Sequence, residues 1–158
     1  MEMKPSQSPT DNAVPESGDD ATPLLLVDDD NVLAGLWQIY LQKAGYHVDC
    51  CGTVSDAEIL LQSNPYRLLI VDLFLREEGR ILEEGGLTLI NRVRLNTEYY
   101  KANPHPMLVL AVTGAPARTA GKFSAIESVR NLTDGILHKP VRLEELRQEV
   151  QRLLAVVA

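Results

Sequence analysis

The sequence predicts an α/β domain in which a parallel five-stranded sheet is covered by helices on both faces. Two observations predict this fold class. Short apolar runs alternate with stretches of helical periodicity, and four of the apolar runs end in a polar residue. Short apolar runs between helical patterns are typical of buried parallel strands, and strict alternation of strands and helices favours a sheet with helices on each side. The 158 residues are enough for one domain with a sizeable core.

Five segments carry the strand pattern, and turn signals separate them. Asn64 and Pro65 mark a turn before the third segment, and Pro104 and Pro106 interrupt the chain before the fourth. Right-handed crossovers between parallel strands leave few ways of ordering these segments in one sheet. The predicted strands are residues 24–27, 47–50, 68–71, 107–112 and 135–138.

Five segments between these strands carry helical signals. Asp30 is placed to cap the first helix and Gly45 to end it. Ser55 and Glu58 have the spacing of a capping box, which opens the second helix. The segment around the fourth helix is weakly patterned, so we expect an irregular structure there. The first helix is amphipathic, with one face formed by Leu33, Leu36, Trp37, Tyr40 and Leu41. The predicted helices are residues 31–44, 55–63, 86–95, 117–131 and 143–156.

Composition and charge exclude several classes of protein. Residues 1–22 are rich in Pro, Ser, Asp and Glu, which predicts a disordered acidic tail before a folded domain at residues 23–158. The net charge is −7 and no basic stripe is present, so a nucleic-acid partner is not expected. No apolar run approaches the roughly 20 residues that span a bilayer, and the N-terminus lacks a secretory signal. We therefore expect a cytoplasmic protein without a membrane partner.

The only two cysteines, Cys50 and Cys51, are adjacent in the chain. Two cysteines side by side supply neither a disulfide framework nor a cysteine zinc site. We predict that both are reduced, buried thiols at the end of a strand.

Polar side chains follow four of the predicted strands. Asp28 and Asp29 follow the first strand, Asp72 the third, Thr113 the fourth and Lys139 the fifth. In an open α/β sheet, ligands bind beyond the carboxyl ends of the strands, so these groups are expected to meet at one edge. Carboxylates suit Mg²⁺, and their mutual repulsion is relieved by a cation.

An ionised carboxylate at such an edge can also attack phosphorus. Phosphoryl transfer depends mainly on positioning and on neutralising charge, which a metal ion and Lys139 would supply together. The Thr113 hydroxyl is suited to bond a phosphoryl oxygen. Singly, each residue has a structural interpretation as a helix cap, a turn or a loop residue. The convergence of four strand ends favours a functional site.

The motifs LLLVDDDN, LLIVDLFL, LVLAVTGAP and ILHKPV carry these residues, and from Leu24 onwards the chain resembles the receiver domain of two-component response regulators. The resemblance implies a flavodoxin-like fold with strand order 2-1-3-4-5. It implies that Asp72 is the phosphoacceptor and that Asp29 and Asp72 ligate Mg²⁺ directly. Asp28 would complete the acidic set, and the backbone carbonyl of Phe74 would also face the metal.

The resemblance also implies how such a protein is used. Thr113 would move toward the phosphoryl group, Lys139 would pair with it, and the bond between Lys139 and Pro140 would be cis. The phosphoryl donor would be a histidine kinase or a histidine phosphotransfer protein, and the output would be binding to a downstream protein. Such a receiver dephosphorylates itself slowly and is not a dedicated enzyme. No output domain follows the last predicted helix, so we expect a stand-alone receiver.

Three features depart from the pattern of the family. Leu75 and Arg76 replace the usual Met-Pro pair, and the charged loop from Arg76 to Gly86 is several residues longer than typical. This loop is either simply solvated or forms a rim or lid beside Asp72. In addition, Ile136 stands where these receivers usually carry Tyr or Phe, so the aromatic switch of the family cannot operate in its usual form.

Two other functions fit parts of the sequence. A pseudo-receiver would bind its partner without phosphorylation, which Ile136 and the altered loop favour mildly. A phosphatase of the haloacid dehalogenase type would use Asp28 as nucleophile in an Asp-x-Asp opening. That mechanism needs another acidic motif after Lys139, where the only acidic residues lie in the last predicted helix.

Overall fold

The computed structural model describes residues 20–77, 80–81, 85–95, 106–114, 127 and 129–156. The predictions for most of the acidic tail and for most of the fourth helix lie outside these residues. The elements, in chain order, are β1 Pro23–Val27, α1 Asn31–Lys43, β2 His47–Cys51, α2 Val54–Ser63, β3 Leu68–Asp72, β4 Arg76–Glu77, β5 Arg80–Ile81, α3 Gly85–Leu95, β6 Leu108–Thr113, β7 Gly135–His138 and α4 Leu143–Val156.

Five strands form one parallel sheet in the order β2-β1-β3-β6-β7. Counted among these five strands alone, the order is 2-1-3-4-5, which confirms the predicted fold. The register pairs Val27 with Val71, and Asp72 with Val112. Strands β1, β3 and β6 therefore end nearly level, and the residues that follow them meet at one edge of the sheet.

Alternate residues of the strands face two apolar clusters, one on each side of the sheet. Helices α2 and α3 cover one side, and α1 and α4 cover the other, which confirms the predicted helices on both faces. The cluster under α2 and α3 includes Leu25, Val27, Ala57, Leu61, Leu69, Val71, Leu89, Ile90 and Val93. The cluster under α1 and α4 includes Leu24, Leu26, Trp37, Leu41, Leu68, Ile70, Leu146, Val150 and Leu153.

The terminal signals of the first two helices are partly confirmed. The Asp30 side chain accepts a hydrogen bond from the Leu33 N–H at 3.1 Å and caps α1 as predicted, and Gly45 follows this helix with a φ of 102°. The capping prediction for α2 is wrong by two residues. Thr53 is the cap, with its hydroxyl accepting from the Asp56 N–H at 3.1 Å.

The buried face of α1 also differs from the prediction. Trp37 and Leu41 are buried as predicted, but Leu36 is 51% exposed and Ala34 is buried instead. The small side chain of Ala34 lets α1 lie close to the sheet. The face of α1 that contacts the sheet therefore includes Ala34, and Leu36 points toward solvent.

The predicted loop between β3 and α3 contains an antiparallel hairpin. Strands β4 and β5 pair with Arg76 opposite Ile81 and Glu77 opposite Arg80. Regular backbone pairing does not decide between a solvated loop and a rim or lid beside Asp72, so both stay predictions.

Cys50 and Cys51 are free thiols at the end of β2, and both are half-buried rather than fully buried. Cys50 packs on the α1 and α4 side of the sheet, whereas Cys51 packs on the α2 and α3 side. Burial, with a smaller contribution from Asp49, raises the pKa of Cys50 to about 11. Burial, followed by the charge of Asp56, raises the pKa of Cys51 to about 12. Both thiols therefore stay protonated near neutral pH.

No helix in the part of the chain that the structure describes is long and apolar enough to cross a membrane.

Hydrogen bonds from the Arg94 side chain tie the end of α3 to the sheet. Arg94 donates to the carbonyls of Leu132 at 2.8 Å and Met107 at 3.0 Å. It also pairs with Asp134 at 2.6 Å, and the same carboxylate oxygen accepts from the Val109 N–H. One side chain thus joins α3, β6 and the segment before β7.

We expect Arg94→Met to lower the free energy of unfolding by about 2 kcal/mol, because two partly buried carbonyls lose their donors and Asp134 loses its cation. Urea denaturation monitored by circular dichroism measures this loss. Arg152→Met is the matched control, since the exposed Arg152 side chain pairs, among the described residues, only with Glu149, and we expect a change below about 0.5 kcal/mol. Equal losses of unfolding free energy in the two variants would contradict the role of Arg94 in joining α3 to the sheet.

Candidate functional site

Three carboxylates converge at the carboxyl ends of β1 and β3. Asp28 and Asp29 follow β1, and Asp72 is the last residue of β3, the strand paired directly with β1. Each contributes an oxygen that lies within 4.8 Å of the other two. Asp28 is 2% exposed and Asp72 6% exposed, whereas Asp29 is only half-buried. In the described part of the chain, no other three His, Cys, Asp or Glu side chains are grouped in this way.

The ammonium group of Lys139 lies between two of these carboxylates. Its Nζ atom is 3.0 Å from Asp28 Oδ2 and 3.1 Å from Asp72 Oδ2. The backbone places this lysine, because its N–H donates to the carbonyl of Thr113 at 2.8 Å. The bond between Lys139 and Pro140 is cis, as the resemblance implies.

Backbone N–H groups hold the other oxygens of the same two carboxylates. The N–H of Asp30 donates to Asp28 Oδ1 at 2.9 Å, and the N–H of Phe74 donates to Asp72 Oδ1 at 2.9 Å. Each buried carboxylate therefore has one oxygen fixed by the chain that follows its strand and one oxygen facing Lys139. This arrangement orients both groups toward the same small volume.

The electrostatics of the site favour a cation. Burial raises the pKa of Asp28 above its usual 3.8, although the Asp30 N–H and Lys139 oppose this shift. Burial acts to lower the pKa of Lys139, but its hydrogen bonds and charge interactions with Asp28 and Asp72 outweigh that effect and raise it. Three carboxylates thus face one ammonium group that stays charged, and a divalent cation would relieve the remaining repulsion.

Thr113 ends β6, the strand on the other side of β3 from β1. It is 1% exposed, and the register places it opposite His138, one residue before Lys139. Gly114 follows, and a Cβ atom at that position would lie 3.4 Å from the Lys139 Cδ atom. The structure therefore brings Thr113 to the same edge as Asp72 and Lys139, with Gly114 next to the Lys139 side chain.

A glycine that the sequence analysis did not single out also shapes the site. A Cβ atom at Gly86, in the first turn of α3, would lie 2.3 Å from the backbone oxygen of Asp72 and 2.7 Å from the Leu73 Cα atom. The Gly86 N–H donates to the Leu73 carbonyl at 3.3 Å. Only glycine allows α3 to approach the end of β3 so closely. The signal available in the sequence was the Gly85-Gly86 pair at the predicted helix start.

Comparison with known proteins agrees with this fold and site. The family model for the response regulator receiver domain matches residues 24–151, so the chain belongs to this family. Transcriptional regulatory protein PmrA from Pectobacterium parmentieri is 34% identical over 131 residues, which cover 83% of this chain and 51% of PmrA. The chain thus spans about half the length of that relative. Response regulator receiver protein CpdR from Brucella abortus is 28% identical over 131 residues, covering 83% of this chain and 95% of CpdR.

Solved structures show the same architecture. The signal receiver domain of a putative Luxo repressor protein from Vibrio parahaemolyticus has a TM-score of 0.68 and 21% identity, covering 87% of this chain and 92% of that one. A CheY-like receiver domain from Methanospirillum hungatei JF-1 has a TM-score of 0.67 and 21% identity, covering 85% and 94%. The similarity confirms the receiver fold.

We expect Gly86→Ala to lower the free energy of unfolding by about 1–3 kcal/mol, because the added methyl group overlaps the backbone at Asp72. The matched control is Gly35→Ala in α1, where a Cβ atom would have no neighbour within 4 Å. Since alanine favours a helix, we expect the free energy of unfolding of that variant to rise by about 0.5–1 kcal/mol. Urea denaturation measures the free energy of unfolding of both variants. A stabilised Gly86→Ala protein would contradict the close approach of α3 to the backbone of Asp72.

We expect Asp28→Asn to stabilise the protein in EDTA by an amount that grows as the pH rises above the usual carboxyl pKa and becomes constant above the raised pKa of the folded state. Below the usual carboxyl pKa of 3.8, Asp28 is protonated in both folded and unfolded chains, so the two proteins should match. Between the two pKa values the unfolded wild type has lost its proton while the folded wild type keeps it, so the wild type loses stability as the pH rises and the Asn variant does not. Urea denaturation at several pH values measures the difference, and a difference that shrinks with rising pH would contradict this prediction.

Proposed function

We propose that the chain accepts a phosphoryl group on the Asp72 carboxylate from a histidine kinase or a histidine phosphotransfer protein, in the presence of Mg²⁺. The observation that carries this proposal is the position of the Lys139 ammonium, 3.1 Å from Asp72 and 3.0 Å from Asp28, beside a third carboxylate. This set provides an oxygen nucleophile, a cation for the phosphoryl oxygens and ligands for a metal. Membership of the receiver family supports the same function.

The metal ligands in this proposal are Asp28, Asp29 and Asp72, together with the backbone carbonyl of Phe74. Their oxygens suit Mg²⁺, which binds through carboxylates and keeps several waters. The convergence of the three carboxylates within 4.8 Å and the raised pKa of Asp28 support a site that binds a cation. The peptide of Phe74 lies against Asp72, to which its N–H donates. When bound, Mg²⁺ supplies charge neutralisation for the phosphoryl oxygens.

In the proposed transfer, a carboxylate oxygen of Asp72 attacks the phosphorus atom of the phosphohistidine. A P–O bond forms, the P–N bond breaks, and its electron pair stays on the imidazole ring. Lys139 then pairs with a phosphoryl oxygen, and the Thr113 hydroxyl donates to another. Positioning by the backbone N–H groups and neutralisation by Lys139 are the contributions of the protein. Attack of water on the phosphorus atom later breaks the bond between phosphorus and the Asp72 oxygen, releases inorganic phosphate and returns Asp72 to its carboxylate form, which is the slow self-dephosphorylation expected of a receiver.

The proposed output is altered binding to a downstream protein. Ile136, in β7, packs against the core under α2 and α3 in the place where related receivers usually carry an aromatic ring. We therefore assign signal output to movement at Thr113 and Gly114 rather than to an aromatic switch. The relative PmrA is named a transcriptional regulatory protein. We therefore propose a lack of nucleic-acid contact for the receiver domain alone. This domain comprises residues 23–158 and follows an acidic tail. A cytoplasmic location fits this function.

We expect intact-protein mass spectrometry to show one added phosphoryl group on the wild type after incubation with acetyl phosphate and Mg²⁺. Asp72→Asn should show none, because the nucleophile is lost. Asp49→Asn is the matched control, since Asp49 lies on β2 and bonds Tyr66 at 2.6 Å, outside the acidic cluster, and it should be modified like the wild type.

Two outcomes would overturn the proposed function. A wild type that gains no phosphoryl group would indicate a binding module that works without phosphorylation. Modification that persists in Asp72→Asn but is lost in Asp28→Asn would assign the nucleophile to Asp28, as a phosphatase of the haloacid dehalogenase type requires.

A further inference from the structure

The peptide bond between Asp134 and Gly135 is a chemically reactive point in the chain, and it takes no part in the proposed transfer. No other Asp or Asn in the sequence is followed by Gly. Glycine has no Cβ atom, so its backbone nitrogen is easily reached by the side-chain carboxyl carbon of the residue before it. The Asp134 side chain is 34% exposed, which gives water access to the carboxyl group.

An aspartyl–glycine bond of this kind can isomerise without a cofactor. The Gly135 nitrogen attacks the Asp134 Cγ atom and a C–N bond forms. The carboxyl group loses its OH, which leaves as water together with the amide hydrogen, and a five-membered succinimide results. Water then adds to one of the two ring carbonyls. Cleavage of the bond from nitrogen to Cγ restores aspartate, whereas cleavage of the bond from nitrogen to the backbone carbonyl carbon gives isoaspartate.

Hydrogen bonds to β6 and α3 hold the Asp134 carboxylate in place. Its Oδ2 atom accepts from the Val109 N–H at 2.8 Å and from Arg94 Nη2 at 2.6 Å. The Asp134 N–H in turn donates to the Val109 carbonyl at 2.9 Å. Ring closure requires rotation about the side-chain bonds of Asp134, so the hydrogen bonds to Oδ2 must break before the glycine nitrogen can attack.

Arg94 provides the stronger of the two hydrogen bonds to this carboxylate, because both partners are charged. The other donor is a backbone N–H of β6, which no substitution removes without disturbing the sheet. Arg94 also donates to the carbonyl of Leu132 at 2.8 Å, two residues before Asp134. One side chain of α3 therefore restrains both the reacting carboxyl group and the backbone that leads to it.

We propose that the bond between Asp134 and Gly135 is a site of isoaspartate formation, and that the ion pair with Arg94 controls how fast it isomerises. Loss of the Arg94 donor leaves Asp134 Oδ2 with the backbone donor as its printed partner from the sheet. The carboxyl group then turns toward the glycine nitrogen more often. The reactant is the chain itself and the only co-reactant is water, so the modification accumulates as the protein ages.

Isoaspartate at this position would disturb the strand that positions Lys139. The backbone of an isoaspartyl residue runs through Cβ and Cγ, so the chain gains one carbon atom directly before β7. Since β7 pairs with β6 along its whole length, the added carbon displaces this pairing. Lys139 follows β7 and reaches Asp28 at 3.0 Å and Asp72 at 3.1 Å. On the basis of the transfer proposed above, an isomerised chain therefore accepts a phosphoryl group more slowly.

The test follows isoaspartate formation in full-length proteins kept folded at neutral pH for several weeks. The proteins are the wild type, Arg94→Met, Gly86→Ala and Asp134→Glu. Gly86→Ala is the matched control, since we expect it to lose a similar free energy of unfolding while Arg94 stays in place. Asp134→Glu keeps a carboxyl group but would have to close a larger, slower-forming ring. After proteolysis, chromatography with mass spectrometry separates the isoaspartyl peptide from its aspartyl isomer.

We expect Arg94→Met to accumulate isoaspartate at residue 134 about tenfold faster than the wild type, because one charge-assisted hydrogen bond no longer opposes ring closure. Gly86→Ala should stay within about twofold of the wild type, since local opening exposes this bond without global unfolding. Asp134→Glu should form no isomer. Equal acceleration in Arg94→Met and Gly86→Ala would overturn the proposal, as would equal rates in Arg94→Met and the wild type. Absence of isoaspartate at residue 134 from both of these proteins would overturn it as well.

A second measurement tests the effect on the candidate site. Wild-type chains that carry isoaspartate are separated from unmodified chains by chromatography, and both are incubated with acetyl phosphate and Mg²⁺. We expect the isomerised chains to be phosphorylated at least about tenfold more slowly, because Lys139 is displaced. Equal rates would overturn the predicted displacement of Lys139. Failure of the unmodified wild type to react would instead overturn the proposed transfer, and the isoaspartate result would stand.

Discussion

Repulsion among Asp28, Asp29 and Asp72 is the constraint on which the rest of the structure depends. Parallel pairing of β1 with β3 fixes these carboxylates at adjacent strand ends, so they cannot move apart without breaking the sheet. Lys139, which directly follows β7 at the edge of the sheet, offsets part of their negative charge. The backbone N–H groups of Asp30 and Phe74 hold the remaining oxygens. The folded domain therefore has an unfavourable charge distribution, which a bound cation would relieve.

Strand order converts residues that are far apart in the chain into one site. Asp28 and Lys139 are separated by 111 residues yet lie 3.0 Å apart, because β1 and β7 end at the same edge. The core helps to hold this edge in place, since β3 is buried on both faces and is apolar from Leu68 to Val71. The apolar interior thus contributes to the chemistry by holding the geometry of the charged groups.

The central sheet and the convergence of its polar strand ends were predictable from the sequence, because apolar runs between helical patterns have few interpretations. The errors arose where local patterns were ambiguous. Thr53 and Ser55 each precede an acidic residue by three positions, and the sequence does not decide between them. Leu36 is more apolar than Ala34, but the close packing of α1 selects the smaller side chain. Gly86 was missed because its reason lies in contact with Asp72, 14 residues earlier in the chain.

The arrangement of Cys50 and Cys51 has a consequence for oxidative chemistry. Neighbours on a strand project to opposite faces of the sheet, and these two sulfur atoms pack into different apolar layers. Each thiol is also held in its unreactive, protonated form. A peroxide or an alkylating reagent therefore meets two separate, weakly nucleophilic groups rather than a vicinal dithiol. A third cysteine introduced on the surface would be the one that a thiol-directed dye labels first.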